Sequence, residues 1–166
     1  MSNNRRLVAG LVAAGVALFR ERDRFAGRTR KQSAPTTRRV PTGARVEYSP
    51  DMDGDADPGE VVWTWVPYED DPSKGKDRPV VIIGRAGRDL AGVPLTSKNT
   101  GDKNKGRETV LVGAGAWDSG GRPSYAKVDQ LIVVRASDVR REGAVLPRDR
   151  FDDVVEAAAR HHDLGR

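Results

Sequence analysis

Two short apolar runs flank a charged loop in the stretch PGEVVWTWVPYEDDPSKGKDRPVVIIG, residues 58–84. Glu60 to Tyr68 is rich in valine and tryptophan, and Pro79 to Ile83 in valine and isoleucine. Such side chains lose rotamer freedom in a helix but pack well on a pleated surface, so both runs are expected to be strands. The intervening EDDPSKGKD is too long for a tight hairpin turn and is expected to be an exposed loop. Pro79 fixes its own φ at the mouth of the second strand and biases Arg78 toward extended backbone. The outcome is a cationic loop, with Lys74, Lys76 and Arg78, on a rigid β scaffold, a common place for functional groups.

The rest of the chain repeats the pattern. Val46–Ser49 reads as a short first strand, GRAGRDLAG as a hairpin connection reversing near Gly87, and Val93–Ser97 as the returning strand. A polar loop beginning at Lys98 leads to a strand over Glu108–Gly113. The glycine-rich turn GAGAWDSGGRP precedes a strand over Tyr125–Val134. This turn is neither a dinucleotide fingerprint nor a P-loop, because the third glycine and the G-K-[ST] are missing. The period then changes. Phe151, Val154, Val155 and Ala158 follow Pro147 at helical spacing, which predicts an amphipathic helix packed on the sheet. His161 and His162 close it and read as helix-end charges rather than metal ligands. Short strands at regular intervals with one helix predict a mainly β (α+β) fold, a small barrel or sandwich.

Composition narrows the chemistry. The chain has 166 residues, no cysteine and two histidines. Thiolate nucleophiles, cysteine–zinc sites and disulfides are excluded, and a Ser–His or paired-histidine mechanism has no convincing parts. Residues 1–45 hold eleven basic and two acidic side chains, against eighteen basic and twenty-two acidic in residues 46–166. The basic balance therefore belongs to the N-terminal arm, and an RNA site in the main domain must be a local patch. Within the arm, LVAGLVAAGVALF (residues 7–19) is shorter than the roughly 20 residues of a membrane span. It reads as part of an N-terminal helix over 1–26, lying against the domain or a partner, with weak membrane association as the other reading. Residues 27–45 have no apolar period and read as a cationic linker, leaving 46–166 as the barrel domain. Asp51, Asp53, Asp55 and Asp57 alternate. However, a calcium loop wants Gly and Glu at its sixth and twelfth positions, where Ala56 and Val62 stand, so this is read as a solvated turn.

The ordered series Gly59-Glu60-Val61-Val62-Trp63, Gly75 and Arg78-Pro79 before V-V-I-I resembles the PemK/MazF family of toxin endoribonucleases. The preceding YSPDMDGDADPGE resembles an actinobacterial branch of it. The resemblance implies an SH3-like barrel acting as a homodimer. It implies cytoplasmic cleavage of single-stranded RNA without metal or cofactor, and neutralisation by a cognate antitoxin protein whose tail covers the RNA groove. The attacking group would be the substrate's own 2′-OH. An arginine suits the charge that develops on phosphorus, because its planar fork matches phosphate oxygens. The family's functional arginine falls on Arg78, its threonine on Thr96 with Ser97 beside it, and its acid–glutamine segment on Asp129-Gln130. Lys74, Lys76, Ser97, Lys98, Asp129 and Gln130 are the expected RNA-binding residues; Arg78, Thr96 and Asp77 are the expected catalytic ones.

The chain departs from the family pattern in three places. Ser73 stands where some members have an acid, Asp77 where some have histidine, and Ile132 where many have arginine. Asp77 is left as either a base or an ion-pair partner of Arg78. Trp63 and Trp65 share a strand face and serve either the core or an interface, or stack on bases. The alternative function is a non-catalytic SH3-like module that binds protein or nucleic acid and is tethered by the basic arm.

Overall fold

A computed structural model describes residues 43–102 and 105–165. The described residues all belong to one compact unit. The expected N-terminal helix over 1–26 and most of the linker over 27–45 lie outside the described residues. Among the described residues no helix is long and apolar enough to cross a membrane.

Among the described residues, nine strands and one α-helix follow in order: β1 Ala44–Val46, β2 Glu60–Pro67, β3 Gly75–Ala86, β4 Asp89–Thr96, β5 Thr109–Gly113, β6 Ser124–Lys127, β7 Ile132–Val134, β8 Val139–Val145, α1 Arg148–Ala158 and β9 Leu164–Gly165. The fold is mainly β, as the sequence predicts. β3 is its spine. The N-terminal half of β3 pairs with β2, its C-terminal half with β4, and its end also with β1. β2 pairs on its other edge with β8, and β4 pairs with β7 and then β6.

Alternate residues feed two cores, as a period of two requires. Val61, Val81, Val93 and Leu95 join Trp117, Val128, Leu146 and the helix residues Phe151, Val154, Ala157 and Ala158. Their neighbours Val62, Val66, Val80 and Ile82 join Leu90, Ile132 and Val134, with Val139 packed alongside. This second cluster draws on β7 and β8, the two ends of the series β8–β2–β3–β4–β7, so the sheet curls around it into a half-barrel. A 3₁₀ turn at Ala136–Asp138 joins those two end strands. The predicted helix is present as Arg148–Ala158, with Pro147 as its N-cap residue.

Several boundaries differ from the sequence reading. The first strand is Ala44–Val46 rather than Val46–Ser49, so the domain reaches into the linker drawn over 27–45. Its partners explain this: β1 runs parallel to the two-residue β9 at the other end of the chain, and Ala44 is buried. β3 begins at Gly75, inside the stretch read as loop, because β2 supplies ladder partners as far as Pro67↔Gly75. β4 begins at Asp89, because Ala86 pairs with Asp89 across a tight turn at Gly87, whose φ of +67° suits glycine. The single strand expected over Tyr125–Val134 is two, β6 and β7, broken at residues 128–131 where the chain passes from one stretch of β4 to another. β8, VRREGAV, was not expected at all.

The motif's Gly59-Glu60 has a structural job. Gly59 has φ +104°, and a Cβ there would stand 2.9 Å from the Tyr48 ring. The fully buried Glu60 carboxylate accepts the backbone N–H of Asp51 at 3.0 Å and of Asp57 at 3.1 Å, fastening the acidic turn to the barrel. Gly75 is equally constrained. A Cβ there would lie 2.5 Å from the Val66 carbonyl oxygen and 2.8 Å from the Trp65 indole nitrogen. Gly75→Ala should therefore cost roughly 1–3 kcal/mol by overpacking. A lowered urea midpoint is the expected result, and an unchanged one would show that the β2–β3 hairpin gives way freely.

Candidate functional site

The β3–β4 ladder ends early, and a cleft opens where it stops. The last pair in the register is Val80↔Pro94. Neither Pro79 nor Pro94 has an N–H to donate, so the ladder has little to continue with. Beyond this point β3 stays with β2, while β4 turns to β6 through Leu95↔Ala126 and Thr96↔Tyr125. Continuing the β3–β4 register by two residues brings Arg78 level with Thr96, across the gap between the diverging strands.

The open cleft there has a volume of about 140 Å³ and is lined by Lys76, Asp77, Arg78, Thr96 and Ser97 among others. The Thr96 hydroxyl accepts the Lys98 backbone N–H at 3.2 Å, which fixes its rotamer at the strand end and leaves its proton to donate. Arg78 is half-buried. Among the described residues its guanidinium has no ion pair and no hydrogen bond, and the Lys76 ammonium likewise has none. The cleft therefore holds two uncompensated cations.

Asp77 is paired, but not with Arg78. Its Oδ2 accepts Arg140 Nη1 at 2.6 Å, and its Oδ1 is buried without a hydrogen-bond partner. Both residues line the cleft, but the carboxylate that stands beside Arg78 in the sequence turns to Arg140 on β8. The ion-pair reading of Asp77 thus needs a different partner, one from the unanticipated β8. Service as a proton acceptor would require the Arg140 pair to open.

The remaining expected residues are spread out. Lys74 lies in the loop before β3, 2.8 Å from Asp71, and this contact, followed by the Ser73 hydroxyl, holds the Asp71 carboxyl below its usual range. Lys98 is exposed just past β4 and does not line the cleft. Asp129 and Gln130 sit in the β6–β7 connection, also beyond the lining, beside the turn that follows α1. There His162 donates Nε2–H to the Val128 carbonyl at 2.9 Å. His161 meets Glu108 at 2.8 Å and Arg160 meets the same carboxylate at 2.6 Å, with Arg160 and then His161 holding Glu108 below the usual carboxylate range.

Burial lowers the His162 pKa, the Val128 carbonyl only partly offsetting it. The unfolded chain therefore takes up a proton first, and stability falls as pH drops below the ordinary histidine value toward the folded one. The urea midpoint should decline as pH falls below the ordinary histidine value of about 6.5, and decline less in His162→Gln. Glu108 acts lower, losing its contribution only as pH falls through its depressed value. Equal slopes in the two proteins would remove His162 from the account.

Three lining residues had no place in the sequence reading: Asp118, Arg122 and Ser124. They come from the glycine-rich turn. Asp118 Oδ1 accepts the Gly120 N–H at 2.8 Å, and Oδ2 accepts Arg122 Nε at 3.1 Å. These two donors, Gly120 first, hold the Asp118 carboxyl below the usual range. An aspartate followed two residues on by glycine is the available signal, since such a side chain caps its own turn. Trp63 also lines the cleft, and its indole N–H donates to the Trp117 carbonyl at 3.0 Å.

The family model of the PemK-like, MazF-like toxins of type II toxin-antitoxin systems matches residues 57–162, a span that takes in every residue of the cleft. The chain belongs to this family. Among solved structures, this PemK/MazF-family chain is similar to the Mycobacterium tuberculosis toxin MazF-mt6, with 19% identity over 64% of this chain and 99% of that one, at a TM-score of 0.44. It is similar to the MazE-MazF structure from Deinococcus radiodurans, with 19% identity over 65% and 96% of the two chains, at a TM-score of 0.47. A structure described as an Mtb toxin aligns at 20% identity over 51% and 91%, at a TM-score of 0.39. No curated protein matches the sequence.

Proposed function

We propose that this family member is the toxin of a type II pair and a metal-independent endoribonuclease of single-stranded RNA. The observation that carries the reading is the meeting, in one open cleft, of the Thr96 hydroxyl and an Arg78 that has no partner among the described residues. The ribose 2′-OH loses its proton to solvent and attacks the adjacent phosphorus, negative charge builds on the non-bridging oxygens, and the P–O5′ bond breaks, the 5′-oxygen leaving as a hydroxyl protonated by solvent and a 2′,3′-cyclic phosphate remaining. Arg78 offers those oxygens a forked, permanently charged donor, and Thr96 offers a hydroxyl proton from the opposite strand end. Lys76, at the same cleft, attracts the backbone to it. Asp77, locked to Arg140, braces the start of β3 where Arg78 stands. A cognate antitoxin and a second copy of the chain are the partners this reading brings with it.

The test is incubation of the purified protein with a long single-stranded RNA in excess chelator. Discrete products ending in 2′,3′-cyclic phosphate are expected. Intact RNA, with binding retained, would instead favour the non-catalytic binding module.

A further inference from the structure

Arg122 stands at the same cleft as Arg78 but on the far side of β4, and nothing in the family motif points to it. We propose that Arg122 is a second phosphate-binding residue of the cleft, held in reserve by Asp118, so that one RNA strand is gripped on both sides of the Thr96 strand. This rests on the RNA reading above.

The placement comes from the register. β4 runs between β3 and β6, so Arg78 and Arg122 reach the cleft from elements on the two sides of the Thr96 strand. Two cations arriving from two sides suit two phosphates of one chain better than a shared one. Arg122 is also presented rather than dangling. The loop that carries it is anchored before Asp118 by the buried Trp117 and after Pro123 by the buried Ser124, whose Oγ accepts the Trp117 indole N–H at 3.1 Å. Only residues 118–123 project between these anchors, and the Gly120 N–H and Gly121 N–H both bond back to Asp118.

The exchange is open from the solvent side. The Arg122 side chain is 70% exposed, while that of Asp118 is 13% exposed and keeps the Gly120 N–H when the guanidinium leaves. A phosphate offers the same fork of oxygens that the carboxylate does, so the guanidinium trades like for like. Asp118, kept ionised by its two donors, restrains Arg122 whenever RNA is absent. Removing Arg122 should therefore weaken binding, and removing the Asp118 charge should strengthen it. A merely structural brace would make both changes harmful.

The experiment measures binding of a fluorescein-labelled single-stranded RNA, 2′-O-methylated so that it is bound but not cut, to the full-length chain across a salt series. Arg122→Ala should weaken binding on the order of tenfold, with the log–log salt slope shallower by about 0.7, the release of one counterion from a single strand. Asp118→Asn keeps an oxygen for the Gly120 N–H, and should bind severalfold tighter, a gain that shrinks in the Arg122→Ala background. Wild-type affinity and slope in Arg122→Ala, with Lys76→Ala weakened, would overturn the inference and spare the RNA reading. Weakening by Asp118→Asn equal to that by Arg122→Ala would reduce the pair to a loop brace. Failure of the wild type to bind would remove both.

Discussion

Arg78→Ala is expected to lower RNA cleavage by roughly 10²–10³, the usual cost of one donor aimed at transition-state charge. The loss should fall on the chemical step more than on substrate affinity, because Lys76 and Arg122 remain to hold the strand. Stability should barely change. The guanidinium has no ion pair or hydrogen bond among the described residues, so no buried partner is orphaned by its removal. Thr96→Ala should cost less, since a neutral hydroxyl is a weaker partner for phosphate than a guanidinium. The measurement is single-turnover cleavage beside a thermal melt of the same preparation. A variant that cuts at the wild-type rate, or one whose melt collapses, would place the role of Arg78 elsewhere.

The reading of Arg78 against Thr96 was legible because it needs only local facts: a proline-led strand, a hairpin at Gly87 and antiparallel return. β2, the core of β3 and α1 were legible for the same reason, as their apolar spacing announces them. What failed to show was set by distant partners. β8 has the sequence VRREGAV and becomes a strand because β2 has a free edge for it to complete. β1 and β9 have three and two residues, too few to carry a pattern, and they define each other from opposite ends of the chain. The break at residues 128–131 is invisible in an apolar run, because it reflects where β4 changes partner and not what the run contains. The same cause hid part of the site. Arg140 and Arg122 reach Asp77 and the cleft from elements whose position depends on the whole barrel, so the Asp77 ion pair was read with its sequence neighbour. Asp129-Gln130, clear in the motif, lies by the C-terminal turn instead of in the cleft lining.

The second large effect is expected at Trp117, which joins the core to the cleft. Its side chain is 2% exposed in the main core. Glycine at 115 and 143 lets it sit there: Cβ atoms at those positions would come within 2.2 Å and 2.9 Å of Trp117 atoms. Its carbonyl accepts the Trp63 indole N–H and its own indole N–H donates to Ser124, so two strands and the Arg122 loop converge on it. Trp117→Ala removes this packing and leaves a cavity that the surrounding sheet can only partly close, a loss of about 3–5 kcal/mol. A domain of this size typically has only about 5–15 kcal/mol to lose, so a steep fall in urea midpoint should follow. Trp117→Phe separates the two contributions. It keeps most of the apolar volume but leaves the buried Ser124 hydroxyl without its indole donor, a penalty of about 1–3 kcal/mol. The expected order of midpoints is therefore wild type, Trp117→Phe, Trp117→Ala. The phenylalanine variant, assayed where it is still folded, should also bind the methylated RNA more weakly than wild type, because one anchor of the Arg122 loop has been loosened. A Trp117→Ala protein with the wild-type midpoint would mean that the glycine-rich turn is a surface attachment and that the cleft is held together without it.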